Sequence, residues 1–152
     1  MTPEEIDAFL GEPRLCAFAT VSPDGTPRVR PLWYLWRDGV FFFTTRLEVR
    51  HTGRDIASGS GLAVSIASEE RPYRSVVAHG TAEVLGKDED LLRAISTRYG
   101  HREGESWLRG AMKEPDRVAL KMVPQRLLSW DYGKGDYGNQ NRGRSMRTDL
   151  RR

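Results

Sequence analysis

The sequence predicts a mainly β protein, a closed antiparallel barrel capped by a few helices. Short runs of apolar or alternating residues are separated by closely spaced turn signals, and few segments have the spacing of a helix. A series of about six short strands is typical of a barrel, in which strand edges are paired. The 152 residues fit one domain, which we place at 1–132, followed by a polar, basic tail at 133–152.

The first two elements are a short helix and a buried strand. Thr2 is a helix cap with Pro3 at the first helical position, and the helix is predicted to end near Gly11. Leu15–Val21 is an apolar run, and the turn residues Ser22–Gly25 close it. This pattern predicts a buried strand that ends in a turn.

The next two strands are predicted to form a hairpin. Arg28–Trp36 alternates, which places one set of side chains on the same face: Arg28, Arg30, Leu32, Tyr34 and Trp36. Arg37-Asp38-Gly39 supplies a tight reversal, since Asp-Gly is the usual chemistry of a two-residue hairpin loop. Val40–Thr45 then returns as a β-branched and aromatic strand.

The rest of the chain mixes strands with helices. We predict four further strands, at Leu62–Ala67, Tyr73–Leu85, Arg117–Val123 and Leu127–Tyr132. Gly80 breaks the second of these at a bulge or barrel corner, and the last is an edge strand. Helical spacing predicts a helix over Lys87–Tyr99, a loop at Gly100–Gly104 and a short helix over Ser106–Met112.

Composition and spacing argue against several classes of function. The net charge of +3 comes mostly from arginines spread along the chain without a nucleic-acid-binding motif, so we predict no nucleic-acid partner. No apolar run approaches the ~18 residues of a membrane span, and the lone Cys16 fits a reducing cytoplasm. The three histidines lack metal-ligand spacing, which predicts no metal site.

The aromatic hairpin and the basic segment after it are the candidate for chemistry. Helical spacing begins after Thr44 and Thr45 and includes Arg50, and both helix N-termini and guanidinium groups bind phosphate oxygens. The stretch therefore predicts a pocket for a flat ring, with a phosphate between Thr44, Thr45 and Arg50. The same residues also fit ordinary core followed by a solvated loop, and their chemistry leaves both interpretations open.

Three motifs follow one another along the chain: L-C-A-F-A-T-V-S-P-D-G-T-P from Leu15, F-F-F-T-T from Phe41 and Y-R-S-V-V-A-H-G-T-A-E-V from Tyr73. In this order they resemble the pyridoxamine 5′-phosphate oxidase-like, flavin-binding split-barrel superfamily, over about Phe9 to Tyr132. The resemblance implies a six-stranded split barrel that forms a homodimer, with two flavin sites at the subunit interface.

The resemblance also implies which residues meet the cofactor. It assigns the second strand to the flavin ring, through Arg30, Pro31, Leu32 and Trp33. It assigns the end of the third strand and the next segment to the phosphate, through Phe43, Thr44, Thr45 and Arg50. Ser75 matches a position that touches the flavin. FMN is the implied cofactor and the deazaflavin F420 is the alternative, between which the sequence does not decide.

Departures from the superfamily pattern narrow the function. Ser129-Trp130-Asp131-Tyr132 stands where true oxidases carry a Trp, Arg and His motif, so we do not predict vitamin B6 oxidation. Glu48-Val49-Arg50 stands where many relatives have Ser-Arg-Lys, which removes one cation from the phosphate site and places a carboxylate near it. The implied function is a flavin-dependent oxidoreductase that transfers a hydride to or from a small planar conjugated substrate, without a dedicated catalytic residue. A non-catalytic flavin carrier or stress-sensing protein, and a barrel without a ligand, remain as alternatives.

Overall fold

The structure is a computed structural model that describes residues 1–48 and 51–134, with the backbone alone over 101–104. Within these ranges the chain is mainly β, with nine strands and four helices. The strands are β1 (Cys16–Val21), β2 (Pro27–Leu32), β3 (Tyr34–Arg37), β4 (Val40–Arg46), β5 (Leu62–Ala67), β6 (Arg74–Gly80), β7 (Glu83–Gly86), β8 (Arg117–Met122) and β9 (Arg126–Asp131). The helices are α1 (Pro3–Gly11), α2 (Thr52–Ala57), α3 (Glu89–Arg98) and α4 (His101–Ala111). Arg50 and the predicted tail from residue 135 onward lie outside the described residues.

The strands form two antiparallel sheets with an apolar core between them. The five-stranded sheet has the order β2-β1-β5-β6-β9, and the four-stranded sheet has the order β3-β4-β8-β7. Phe18 and Val64 from the first sheet and Phe43 and Leu120 from the second are fully buried in one cluster. The mainly β prediction is confirmed, and β9 is an edge strand as predicted.

Two of the predicted strands are each divided between the two sheets. Arg28–Trp36 was predicted as one strand, but Trp33 separates β2 from β3, and these belong to different sheets. The strand predicted at Tyr73–Leu85 is interrupted at Gly80, as expected, and the chain crosses there from β6 in one sheet to β7 in the other. A Cβ on Gly80 would lie 3.0 Å from the carbonyl oxygen of Val123. Glycine therefore allows the close approach that this corner requires.

Local signals correctly predict the hairpin and the first helix. Asp38 and Gly39 both have positive φ, at 52° and 76°, and Arg37 pairs with Val40 across them. This is the two-residue hairpin loop that Asp-Gly predicts. At α1, the hydroxyl of Thr2 accepts from the backbone N–H of Glu5, whose carboxylate accepts from the backbone of Thr2.

The predicted loop Gly100–Gly104 is wrong, because α4 begins at His101. Only Tyr99 and Gly100, the second with φ of 112°, separate α3 from α4. The two helices then pack together through Leu92, Leu108 and Ala111. In the part of the chain described here, no helix combines the length and apolar character needed to cross a membrane.

Candidate functional site

A buried polar cluster lies where β1, β2 and α2 meet. Arg30 on β2 is 5% exposed, and its guanidinium donates to the hydroxyls of Thr52 and Thr20 and, at 3.3 Å, to Asp55 Oδ2. The guanidinium therefore has partners on both β1 and α2. A buried cation is tolerated only with such pairing, which fixes the position of α2 against the five-stranded sheet.

Asp55 is the single carboxylate of this cluster among the described contacts. It is 1% exposed and accepts three charged or polar donors: Thr20 Oγ1 at 2.7 Å, Arg28 Nη1 at 2.9 Å and Arg30. The side chain of Arg28 is 32% exposed, so the cluster reaches solvent on that side. Two guanidinium groups share one carboxylate, which leaves one positive charge in excess.

The start of α2 contacts both this cluster and the residues that follow β4. The backbone N–H of Gly53 donates to the carbonyl of Leu47 at 3.0 Å, and a Cβ at Gly53 would lie 2.9 Å from that oxygen. Thr52, the first residue of α2, accepts from Arg30. Thr52, which follows the predicted basic segment in the chain, is therefore part of the cationic cluster.

The outer face of the five-stranded sheet carries Pro31 and Ser75. Pro31 pairs with Ala17 on β1, and Ser75 pairs with Ala67 on β5. Three strand spacings separate β2 from β6, roughly 14 Å, so one flavin ring does not lie against both residues from a single chain. Val29 on this face is 67% exposed.

The side chain of Trp33 is engaged by the helices. Its ring stacks on Tyr99, with centroids 4.7 Å apart and planes within 4°, and Trp107 lies at 5.2 Å. The hydroxyl of Tyr99 donates to the carbonyl of Arg14 at 2.7 Å. Burial raises the pKa of Tyr99, which favours the protonated, donating form. Tyr99 therefore covers one face of the Trp33 ring.

The phosphate candidates on β4 point to opposite faces of the four-stranded sheet. Phe43 and Thr45 face the main core, next to Leu120 and Val118 of β8, whereas Thr44 alternates to the other face. The hydroxyl of Thr44 is buried and has no hydrogen-bond partner among the described residues. The hydroxyls of Thr44 and Thr45 therefore lie on opposite sides of the strand and do not reach one phosphate together. Leu32 is partly buried against the core.

Other candidates for chemistry are weak. Burial raises the pKa of the Cys16 thiol to about 12, so it stays protonated and unreactive near neutral pH. The described residues hold no cluster of three or more His, Cys, Asp or Glu suited to a metal ion. A cavity of about 570 Å³ lies near the end of β9, but its Arg14 and Arg74 both pair with Glu12. Its lining includes none of the residues that the resemblance assigns to a cofactor.

Sequence reasoning missed Arg28, Thr20, Thr52 and Asp55 as parts of the site. A signal for them was present, because alternation places Arg28 and Arg30 on the core-facing side of β2 with Leu32. An arginine on a buried face requires an acceptor close by. The sequence does not show that Asp55, on a separate helix, supplies it.

Most of the chain matches the model of a known protein family. A family model described as pyridoxamine 5′-phosphate oxidase matches residues 2–131. No curated protein matches the sequence.

Solved structures share the fold. A structure described as an F420 reductase has a TM-score of 0.68 at 28% identity, over 83% of this chain and 98% of that chain. The conserved hypothetical protein Rv2991 from Mycobacterium tuberculosis has a TM-score of 0.69 at 23% identity, over 87% of this chain and 86% of that chain. HutZ, the haem storage protein from Vibrio cholerae, has a TM-score of 0.64 at 20% identity, over 82% of this chain and 92% of that chain.

Proposed function

The chain belongs to the pyridoxamine 5′-phosphate oxidase family, and on that premise we propose that it is a flavin-dependent oxidoreductase. The proposed reaction transfers a hydride to or from a small planar conjugated substrate. FMN is the proposed cofactor, with F420 as the alternative that the likeness to an F420 reductase supports. The proposed working form is a homodimer of six-stranded split barrels in a reducing cytoplasm.

The observation that carries this proposal is the excess positive charge beside the segment between β4 and α2. Arg28 and Arg30 share the single carboxylate of Asp55, and Arg28 extends to solvent. FMN and F420 both bear phosphate groups, which an excess positive charge at this position would attract. Charge-assisted bonds from guanidinium to phosphate are among the stronger hydrogen bonds in proteins.

The outer face of the five-stranded sheet supports a second copy of the chain as the partner. Pro31 and Ser75 lie on this face, too far apart for one ring to touch both within a chain. A ring held between two copies satisfies both assignments, with Pro31 from one copy and Ser75 from the other. The exposed apolar side chains of Val21 and Val29 on the same face favour burial in such an interface.

The chain's residues bind and orient the cofactor in this proposal. FMN or F420, when bound, supplies the hydride-transfer chemistry. The backbone from Arg30 to Trp33 follows the edge of the ring, and the cationic cluster anchors the phosphate. A second copy covers the ring and excludes water. Thr45 and Arg50 remain proposed phosphate contacts.

The first experiment is a titration of the purified protein with FMN and with F420, followed by fluorescence. A Kd of about 1 μM or tighter for either, about −8 kcal/mol, supports the cofactor site. Binding of neither one refutes the oxidoreductase proposal. Turnover is then assayed with NAD(P)H for a bound flavin, or with reduced F420, against planar conjugated acceptors. Tight binding without turnover of any acceptor favours the non-catalytic carrier.

The homodimer is tested by sedimentation of two charged variants. Val29→Asp places a carboxylate on the outer face of the five-stranded sheet and is expected to give monomers with weakened cofactor binding. Val84→Asp is the matched control, because Val84 is 42% exposed on β7 of the other sheet. A Val29→Asp protein that stays dimeric would place the interface elsewhere.

A further inference from the structure

The two arginines of the buried cluster differ in how fully their donors are used. The guanidinium of Arg30 bonds to Thr20, Thr52 and Asp55, and its side chain is only 6% exposed. A ligand could reach Arg30 only by breaking those bonds. Arg30 is therefore a structural cation that ties the sheet to α2.

The guanidinium of Arg28 uses only part of its hydrogen-bonding capacity. Its side chain is 32% exposed, and only Nη1 is engaged, with Asp55 Oδ1 at 2.9 Å. Nε and Nη2 have no partner among the residues that the structure describes. A guanidinium with one edge held by a buried carboxylate is fixed in position, and its remaining donors suit a second, bidentate anion.

The charges around Arg28 leave it a net cationic site. The single negative charge of Asp55 is shared by Arg28 and Arg30, so it neutralises only one of their two positive charges. The other carboxylate influenced by Arg28 is Asp24, in the β1–β2 turn. The pKa of Asp24 is lowered to about 2 chiefly by a hydrogen bond from Ser22, and Arg28 adds a smaller effect. Asp24 accepts from Ser22 and Thr26 and makes no described bond to Arg28.

We propose that Arg28 binds the phosphate of the cofactor, with Asp55 as the residue that positions its guanidinium. The inference rests on the proposed function and adds a residue that the resemblance does not assign. The segment Glu48-Val49-Arg50 has one cation fewer than the Ser-Arg-Lys of many relatives. In this proposal Arg28 supplies that positive charge from β2. The ligand chemistry is a phosphate ester, a monoester in FMN or a diester in F420.

The test compares each cofactor with the same ring lacking phosphate. Wild type, Arg28→Gln and Arg28→Lys are titrated with FMN and riboflavin, and with F420 and 8-hydroxy-5-deazariboflavin. Arg28→Gln is expected to weaken binding of the phosphate-bearing cofactor by about 10- to 100-fold, and to leave the phosphate-free ring unchanged. Arg28→Lys keeps the charge but loses the fork, so a partial loss is expected.

Arg37→Gln is the matched control, because Arg37 is an exposed arginine on β3 of the other sheet. It removes the same charge and is expected to leave all four affinities unchanged. The thermal midpoint of each variant is measured with and without inorganic phosphate. A phosphate-dependent rise in wild type that Arg28→Gln loses supports the site without reference to any flavin.

The outcomes separate this inference from the proposed function. Equal affinity of wild type and Arg28→Gln for the phosphate-bearing cofactor overturns the role of Arg28 and leaves the oxidoreductase proposal standing. An equal loss with the phosphate-free ring shows an effect on the ring or the fold, and also overturns it. If wild type binds no cofactor, the proposed function fails. The phosphate-dependent thermal shift then decides whether Arg28 holds an anion.

Discussion

Replacement of Asp55 by alanine is expected to cost much of the stability of the fold. The substitution removes the only described carboxylate that faces Arg30, whose guanidinium is almost fully buried. Removing one partner of a buried ion pair costs about 3–5 kcal/mol, because the other charge is left in a poorly polarisable interior. For a chain of this size each kcal/mol lowers the thermal midpoint by about 2–4 °C, so the expected loss is about 6–20 °C.

The assay is thermal and urea unfolding at neutral pH, compared with a double variant. Arg30→Met with Asp55→Leu removes both charges and keeps apolar volume, so it is expected to be more stable than Asp55→Ala. That order distinguishes an unpaired buried cation from simple loss of packing. An Asp55→Ala protein within about 1 kcal/mol of wild type would refute the pairing, since surface ion pairs contribute about that much or less.

Two further predictions concern α2 and acid stability. Gly53→Ala should lower the thermal midpoint, because the new methyl group meets the carbonyl of Leu47. That contact costs about 1–3 kcal/mol, which outweighs a helix-propensity gain of about 1 kcal/mol. Gly110→Ala, which has open space around the new methyl group, should raise the midpoint. The hydrogen bond from Arg46 lowers the pKa of Asp116 in the folded protein. The ionised carboxylate therefore stabilises the fold at pH values above the ordinary aspartate pKa of about 3.9. This stabilisation is lost as the pH falls through the lower pKa of the folded state. The midpoint difference between wild type and Asp116→Asn should therefore be present at pH 7 and vanish in acid; a difference that persists there would contradict it.

Elements with local signals were predictable from the sequence. Leu62–Ala67 is a strand at the predicted bounds, and Asp38-Gly39 forms the predicted hairpin loop. Each depends on residues that lie next to one another in the chain, so short-range chemistry is enough. The start of α4 was missed because Gly104 was interpreted as part of a loop, whereas packing against α3 keeps that glycine within a helix.

The division of Arg28–Trp36 into two strands left no trace in the hydrophobic pattern. Arg30, Tyr34 and Trp36 alternate in phase on both sides of Trp33, and the even-numbered side chains of both β2 and β3 face inward. Periodicity reports which face is buried, and this does not change when the chain passes from one sheet to the other around a shared core. The crossover depends on long-range strand pairing, which sequence spacing does not contain.

The site differs from the fold because its key pairing joins residues far apart in the chain. Arg28 and Arg30 lie on the inward face of β2, where a strand normally carries apolar residues, and the cost of burying their charge demands a carboxylate. The sequence therefore indicates that an acceptor exists, but only the fold shows that α2 brings Asp55 to both. One carboxylate for two arginines is then a property of the folded chain. That charge excess points to an anion, and it lies beside the segment to which the resemblance assigns the phosphate.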